Sequence, residues 1–315
     1  MLPNLRRLRL LHAAAALSLV LVVVPLRLRA GNELDRHLRD QYKGKTLLVR
    51  NFYSGDSLRY DSSGQFLGRA TAGDWTVDAL VQIDDVRVAS HRLKIQAKRM
   101  HMGWVRDGGF SAVPAPDGKS GKDYAETRKL RIEANLSPGE VTADSADAML
   151  ARIFLTSSDH FAELVPEYWK PCVRIALTGR ATKDYSTCKF SPEFLAIPGV
   201  AHPSEQQPES AEAAGGERKS YRFAKNGLTA PKVLHQTDPS FSEEARRAKY
   251  QGTVVLMLVV EKTGSLRDIR IVSPLGCGLD RRAVQSVEAW QFKPATKDGE
   301  PFEVEIAVEV DFHLY

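Results

Sequence analysis

Few residues in this sequence have the types and spacing that chemistry requires. Gly55-Asp56-Ser57-Leu58 sets a serine after a glycine turn, where it could act as a nucleophile if a histidine base and an orienting carboxylate stood within reach. Asp311 and His313 are the pair near the C-terminus that could supply them, but they end an alternating strand. The residues around Ser57 alternate as in a hairpin and do not form the strand-to-helix turn that presents a nucleophile. A plain turn is therefore expected there, and no residue is assigned to catalysis. The 8 histidines are scattered, with no two at helical ligand spacing, and no second cysteine pair stands near Cys172 and Cys188, so no metal or cofactor is expected.

The most regular chemistry in the chain is acidic. Phe302, Val304, Ile306, Val308, Val310 and Phe312 alternate with Glu303, Glu305, Ala307, Glu309 and Asp311, which predicts a half-buried strand over 302–312 with its carboxylates in water. Upstream, 253–261 is apolar and β-branched, 262–265 supplies a glycine turn, and 266–273 alternates again through Ile269 and Ile271. Gly278 and Asp280 then open a helix in which Leu279, Ala283, Val287 and Trp290 recur at helical spacing, and Pro294 marks its end. The predicted order is strand, strand, helix, strand: an antiparallel sheet packed with helices. Trp290 and Phe292 belong to its core.

These residues carry a resemblance. Pro239 and Phe241 before a short helix with Ala245, Gly252-Thr253-Val254, the Gly264 turn, Leu279-Asp280, Trp290-Gln291-Phe292-Lys293-Pro294-Ala295, Gly299 and the strand closed by Phe312 are together similar to the C-terminal domain of the TonB family, over residues 226–315. Ser242 departs from it, standing where the family commonly has proline, and Lys262-Thr263 replaces an acidic residue before the turn. The resemblance implies a protein of an energy-coupled transport system, an energy transducer with no catalysis of its own. Its domain would capture the recognition segment of a TonB-dependent outer-membrane receptor by strand addition. Carried over, the edge is Glu303, Val304, Glu305, Ile306, Ala307, Val308, Glu309 and Val310, with Asp238 and Pro239 beside it. The resemblance further implies an inner-membrane complex of the ExbB and ExbD type.

The formal net charge of +5 is misleading, because Arg6, Arg7, Arg9, Arg27 and Arg29 precede the first acidic residue, Glu33, and the rest sums to 5 − 5 = 0. A neutral body offers no footprint for nucleic acid. The arginines flank an apolar run at 13–26, so residues 1–30 read as a signal sequence or an N-terminal membrane anchor, and both place the body in the periplasm. The serine and histidine of the family's anchor find no match in order and spacing at His12 and Ser18.

Residues 36–43 are a charged lead-in, and from Thr46 short strands alternate with turn signals at 47–52, 58–60, 76–88, 92–99 and 127–136, with a glycine- and proline-rich loop over 103–122. Helical spacing is confined to 145–155 and 160–164. The fold class is thus α+β: a β-rich domain of unassigned ligand at 44–200, a polar linker at 201–225, and the TonB-like domain. The linker's stretch 202–220, about 20 residues, reaches roughly 70 Å at most, shorter than the family's spacer. It leaves room for a second reading, a periplasmic binding or scaffold protein without energy transduction.

In an oxidising compartment Cys172 and Cys188 are expected to form a disulfide, a cross-link typically worth about 2 to 4 kcal/mol. Cys277 is left as a buried apolar residue or a free thiol. Intact mass after alkylation under denaturing conditions, with and without reductant, should then show one bridge and one labelled thiol. Three labelled thiols without reductant would exclude the bridge.

Overall fold

The computed structural model describes residues 26–89, 91–105, 109–113, 129–137, 141–180, 182–201 and 227–314, with side chains from residue 33. Most of the expected signal or anchor segment and nearly all of the linker lie outside the described residues. The fold is mixed α+β.

The N-terminal half is built on a five-stranded sheet. Its chain order is β1 (Thr46–Leu48), β2 (Ser57–Tyr60), β3 (Leu80–Ala89), β4 (Arg92–Arg99), a separate hairpin of β5 (His101–Val105) and β6 (Gly109–Val113), and β7 (Lys129–Asn135). Spatially the sheet runs β1-β3-β4-β7-β2, antiparallel except for the parallel pair β2 and β7. Strict alternation in β4 and β7 sends Leu93, Ile95, Ala97, Leu130, Ile132 and Ala134 inward. Against them pack Leu34 and Leu38 from the helix Leu26–Tyr42 and Met149, Leu150 and Ile153 from the helix Ala143–Ile153. The charged lead-in expected at 36–43 is therefore the end of a helix. Among its described side chains only Leu34 and Leu38 are buried, so charges conceal the periodicity.

A second core forms around Trp75, whose ring lies within 6.4 Å of those of Phe110, Phe161, Trp169, Phe190 and Phe194. The expected strand at 76–88 is shorter at its start, because Trp75–Ala79 make one wide helical turn before β3. The loop expected from 103 onward is corrected over its first part: β5 and β6 pair from His101↔Val113 to Val105↔Gly109. Burial of Met102 and Phe110 outweighs the local glycine content. Cys172, in the helix Lys170–Thr178, is bonded to Cys188, with Cα atoms 5.2 Å apart.

The C-terminal part contains β8 (Leu228–Thr229), β9 (Lys232–His235), the helix Glu243–Arg247, β10 (Gly252–Val260), β11 (Leu266–Ser273), the helix Leu279–Glu288, β12 (Gln291–Lys293), β13 (Ala295–Lys297), β14 (Glu300–Phe302) and β15 (Val304–Phe312). Its main sheet is antiparallel, in the order β11-β10-β15. The final strand begins later than the alternation predicts: Phe302 pairs with Ala295 in the β13–β14 hairpin, and β15 starts at Val304. The turn between them, Asp298-Gly299, has positive φ at both positions (53° and 89°), the geometry favoured by two-residue hairpins. Gly264 closes the β10–β11 turn, where a Cβ would lie 2.2 Å from Phe292 O.

The two halves share one core, since Trp75, Trp169 and Phe190 belong to the same apolar cluster as Leu256, Leu279 and Val287. Their seam is made by main chain. Gly103 bridges to Gly276, Trp104 N–H donates to Leu275 O (3.1 Å), and Cys277 N–H donates to Met102 O (2.7 Å). A Cβ on Gly276 would sit 2.4 Å from Met102 O. The Tyr250 hydroxyl lies 2.9 Å from Leu275 O and 3.0 Å from Trp104 O. At the start of the helix Leu279–Glu288, Gly278 N–H donates to Thr76 Oγ1 (2.8 Å), and Thr76 in turn donates to Asp74 (2.6 Å). Asp280, fully buried, accepts from the Leu275 and Gly276 amides at 2.8 and 2.6 Å.

Two measurements follow from this seam. A single protease cut in the polar stretch 202–220 should leave the two pieces co-eluting in size-exclusion chromatography at native pH, and their separation would show that the shared core does not hold them. The second concerns pH. Burial pushes the Asp280 carboxyl up to about 7, against its two amide donors and with help from the charge of Asp74, while burial pushes Asp78 up to about 6 despite Arg99. Carboxyls raised in the folded state hold protons that the unfolded chain has released, so their contribution to stability falls as pH rises from 3.8 through about 7. The melting temperature should be lower at about pH 8 than at about pH 5. Asp280→Asn should flatten that dependence; an unchanged slope would remove Asp280 as its source.

Candidate functional site

The two edges of the sheet β11-β10-β15 differ. Against β11 pack the 3-10 turn Glu167–Trp169 and the helix Lys170–Thr178, and the Thr187 hydroxyl donates to Val272 O at 3.3 Å. Among the described residues β15 pairs with β10 on one side and with no strand on the other, over nine residues from Val304 to Phe312. At roughly 3.3 Å per residue this is an open edge of about 30 Å.

The direction of its free amides follows from the neighbouring hairpin. Glu261 N–H donates to Ser265 O across the turn, so the odd-numbered peptide groups of β10 face β11 and the even-numbered ones face β15. The register shifts leave this alternation intact because both extra residues belong to β11: Val255 to Leu256 is one step against two from Ser273 to Ile271, and Met257 to Val259 is two against three from Arg270 to Arg267. With Leu256 opposite Val308 and Leu258 opposite Ile306, the even-numbered groups of β15 are engaged with β10. Glu305, Ala307 and Glu309 turn their N–H and C=O groups to the open side.

The side chains alternate as the sequence predicts. Val304, Val308, Val310 and Phe312 are buried, Ile306 is half-buried, and Ala307, Glu309 and Asp311 are exposed. On the outer face Glu303 pairs with Arg267 and Glu305 with Arg270 of β11. The bond from Glu303, with Asp268 adding its charge, holds the Arg267 guanidinium above its ordinary value. Among the described residues Glu309 has no ion pair and Asp311 accepts only from the Thr253 hydroxyl.

Asp238 and Pro239 sit on a segment held at one end by Ser286 and Trp290 and at the other by the last residue of β15. Thr237 O accepts from Ser286 Oγ and Trp290 Nε1, and the Phe241 ring stands 5.5 Å from that of Phe312. Asp238 is exposed and Pro239 half-buried, and no hydrogen bond or ion pair joins either to β15. Ser57 is exposed on β2, in the other sheet from Asp311 and His313, and no hydrogen bond links it to them. The preceding turn serves the buried Arg99, which donates to Gly55 O and Tyr53 O and pairs with Asp78 at 3.4 Å.

A cleft of about 600 Å³ opens at the seam between Tyr168, Leu266, Ile269, Val284 and Trp290. It has no cysteine or histidine in its walls. Among the described residues no group of three or more histidine, cysteine or acidic side chains could hold a metal ion, and no helix is long and apolar enough to cross a membrane.

Residues that organise the site were missed by sequence reasoning. Ser242, read only as a departure, caps the helix Glu243–Arg247 through the Ala245 amide (3.1 Å) and donates to Cys277 O. A serine three residues before an alanine in a helical stretch was the available signal. For Tyr250 and Asp280 as seam residues there was none.

Comparison with known proteins bears on the same segment. Residues 237–314 match the family described as Gram-negative bacterial TonB protein C-terminal. Protein tonB2 of Pseudomonas aeruginosa is 33% identical over 82 residues, which is 26% of this chain and 30% of that protein's length. The solution NMR structure of the Pseudomonas aeruginosa TonB CTD is 20% identical, covering 27% of this chain and 86% of that one, with a TM-score of 0.24. The C-terminal quarter of this chain, residues 237–314, is thus the part that matches the TonB C-terminal family.

Proposed function

We propose that this protein is a TonB-like component of the cell envelope that captures an extended segment of an outer-membrane receptor by strand addition at β15. Through that capture it takes part in energy-coupled transport. The observation that carries the reading is the free edge, where the outward N–H groups of Glu305, Ala307 and Glu309 could donate, and their C=O groups accept, main-chain hydrogen bonds. Asp238 and Pro239 are included only on the strength of the family resemblance. No catalytic role is assigned, and none of the arrangements around Ser57 asks for one. Coupling to an ExbB and ExbD type complex would require residues 1–30 to remain as an anchor.

One feature favours a second reading. The TonB-like domain is packed on the N-terminal half through a shared core, so it is not a module free at the end of a tether. A periplasmic binding or scaffold protein would use such an arrangement without transmitting energy. Finding residues 1–30 removed from the mature protein would favour this reading, because a released chain cannot pass force from the inner membrane.

Ala307→Pro tests the edge. Proline deletes an N–H that faces the open side and so spares the ladder to β10; stability should fall by on the order of 1 kcal/mol. Binding of a receptor peptide, read by fluorescence anisotropy, should weaken by about tenfold or more, as expected for a lost main-chain bond and a distorted edge. A folded variant that binds with unchanged affinity would refute the assignment.

A further inference from the structure

We infer that the segment captured at β15 alternates apolar with basic residues, its cations placed against Glu309 and Asp311. The inference rests on the reading of β15 as the capture edge and adds the chemistry of the partner. A strand added in plane would place alternate residues on the two faces of the sheet, each beside a residue of β15. On the helix-packed face its neighbours would be half-buried Ile306 and buried Val308 and Val310, which favour apolar side chains.

The outer face differs along its length. Glu303 and Glu305 are already neutralised by Arg267 and Arg270, so the first part of the edge makes no demand for charge. Glu309 stands opposite Val255 and Asp311 opposite Thr253 across the β10 ladder, and neither partner is a cation. Two exposed carboxylates, two residues apart on the same face, therefore remain at the end of the edge. Opposite charges directly across a ladder attract and like charges repel, so a segment carrying lysine or arginine at these positions is selected over an acidic one. Local charge complementarity thus distinguishes among extended segments that the main chain alone would accept equally.

The test uses the full chain and three fluorescent nine-residue peptides, valine alternating with lysine, threonine or glutamate, measured by anisotropy at low salt. Affinity should fall in the order lysine, threonine, glutamate, with at least about a fivefold span from the two cross-strand pairs. The span should shrink as salt rises to about 0.5 M. In the double variant Glu309→Lys, Asp311→Lys the order should invert, and in Glu309→Gln, Asp311→Asn it should vanish; the second variant decides the matter if the first fails to fold. Equal affinity for all three peptides would overturn the charge selection and leave strand addition standing. A lysine preference that survives in the neutral variant would place the cations elsewhere and overturn it too. Failure of every peptide to bind would overturn strand addition as well.

Discussion

The arrangement of this molecule depends on the approach of two backbones at the seam. Gly276 lies so close to Met102 and Gly103 that a single methyl group would meet the Met102 carbonyl at 2.4 Å. Only a residue without Cβ, and at a positive φ of 98°, satisfies both the conformation and the distance. Because main chain meets main chain here, the β5–β6 hairpin fixes where the C-terminal sheet sits. The surrounding contacts, Tyr250 on two carbonyls and Thr76 at the start of a helix, complete a polar rim around an apolar core continuous from Trp75 to Val287. Unpaired buried main-chain groups are costly, so each carbonyl and amide at the seam needs the half it faces.

The seam also makes the sheet asymmetric. A three-stranded sheet has two edges, and an uncovered edge invites indiscriminate pairing. Here β11 is irregular, with two extra residues and Asp268 at φ 53°, and it is covered by segments that Cys172 and Cys188 tie together. β15 is regular over nine residues and, among the described residues, pairs with no strand on its second side. Irregularity falls on the strand that must fit against side chains from the other half, and regularity on the strand whose backbone is available. Glu305, Glu309 and Asp311 line the outer face of that strand, and charge on an edge disfavours indiscriminate pairing.

Local pattern made the C-terminal sheet legible. The alternation through Val304, Val308 and Val310 appears as burial on one face, and the glycine turn and the Leu279–Val287 spacing appear as a hairpin and a helix, because each is decided by neighbours within a few residues. The start of the last strand was misplaced by two residues, since Phe302 satisfies the same alternation while pairing in a different hairpin. Long-range packing was not legible. Nothing near Trp75 announces five aromatic partners drawn from residues 110 to 194, and nothing near Thr76 announces a hydrogen bond to a residue 202 positions away. The helix at Leu34 and Leu38 and the strand at Met102 were concealed for the opposite reason. Their local composition reads as polar or loop-like, and burial overrides it.

The nine-residue antiparallel ladder between β10 and β15 has a mechanical consequence. Its hydrogen bonds run across the strands, from Gly252↔Phe312 to Val260↔Val304. A pull along β15, as from a strand laid beside it, would load these bonds together in shear, while a pull at right angles would unzip them one pair at a time. The ladder is therefore stiff along one axis and weak along another. Tension along the strong axis would pass from β15 through β10 to β11, which meets the N-terminal half both at the segments joined by Cys172 and Cys188 and, just past its end, at the main-chain seam of Leu275 and Gly276. The Cys172–Cys188 cross-link joins the segments packed on β11, so under such a load a covalent bond would hold the surface where the hydrogen-bonded sheet meets packed side chains.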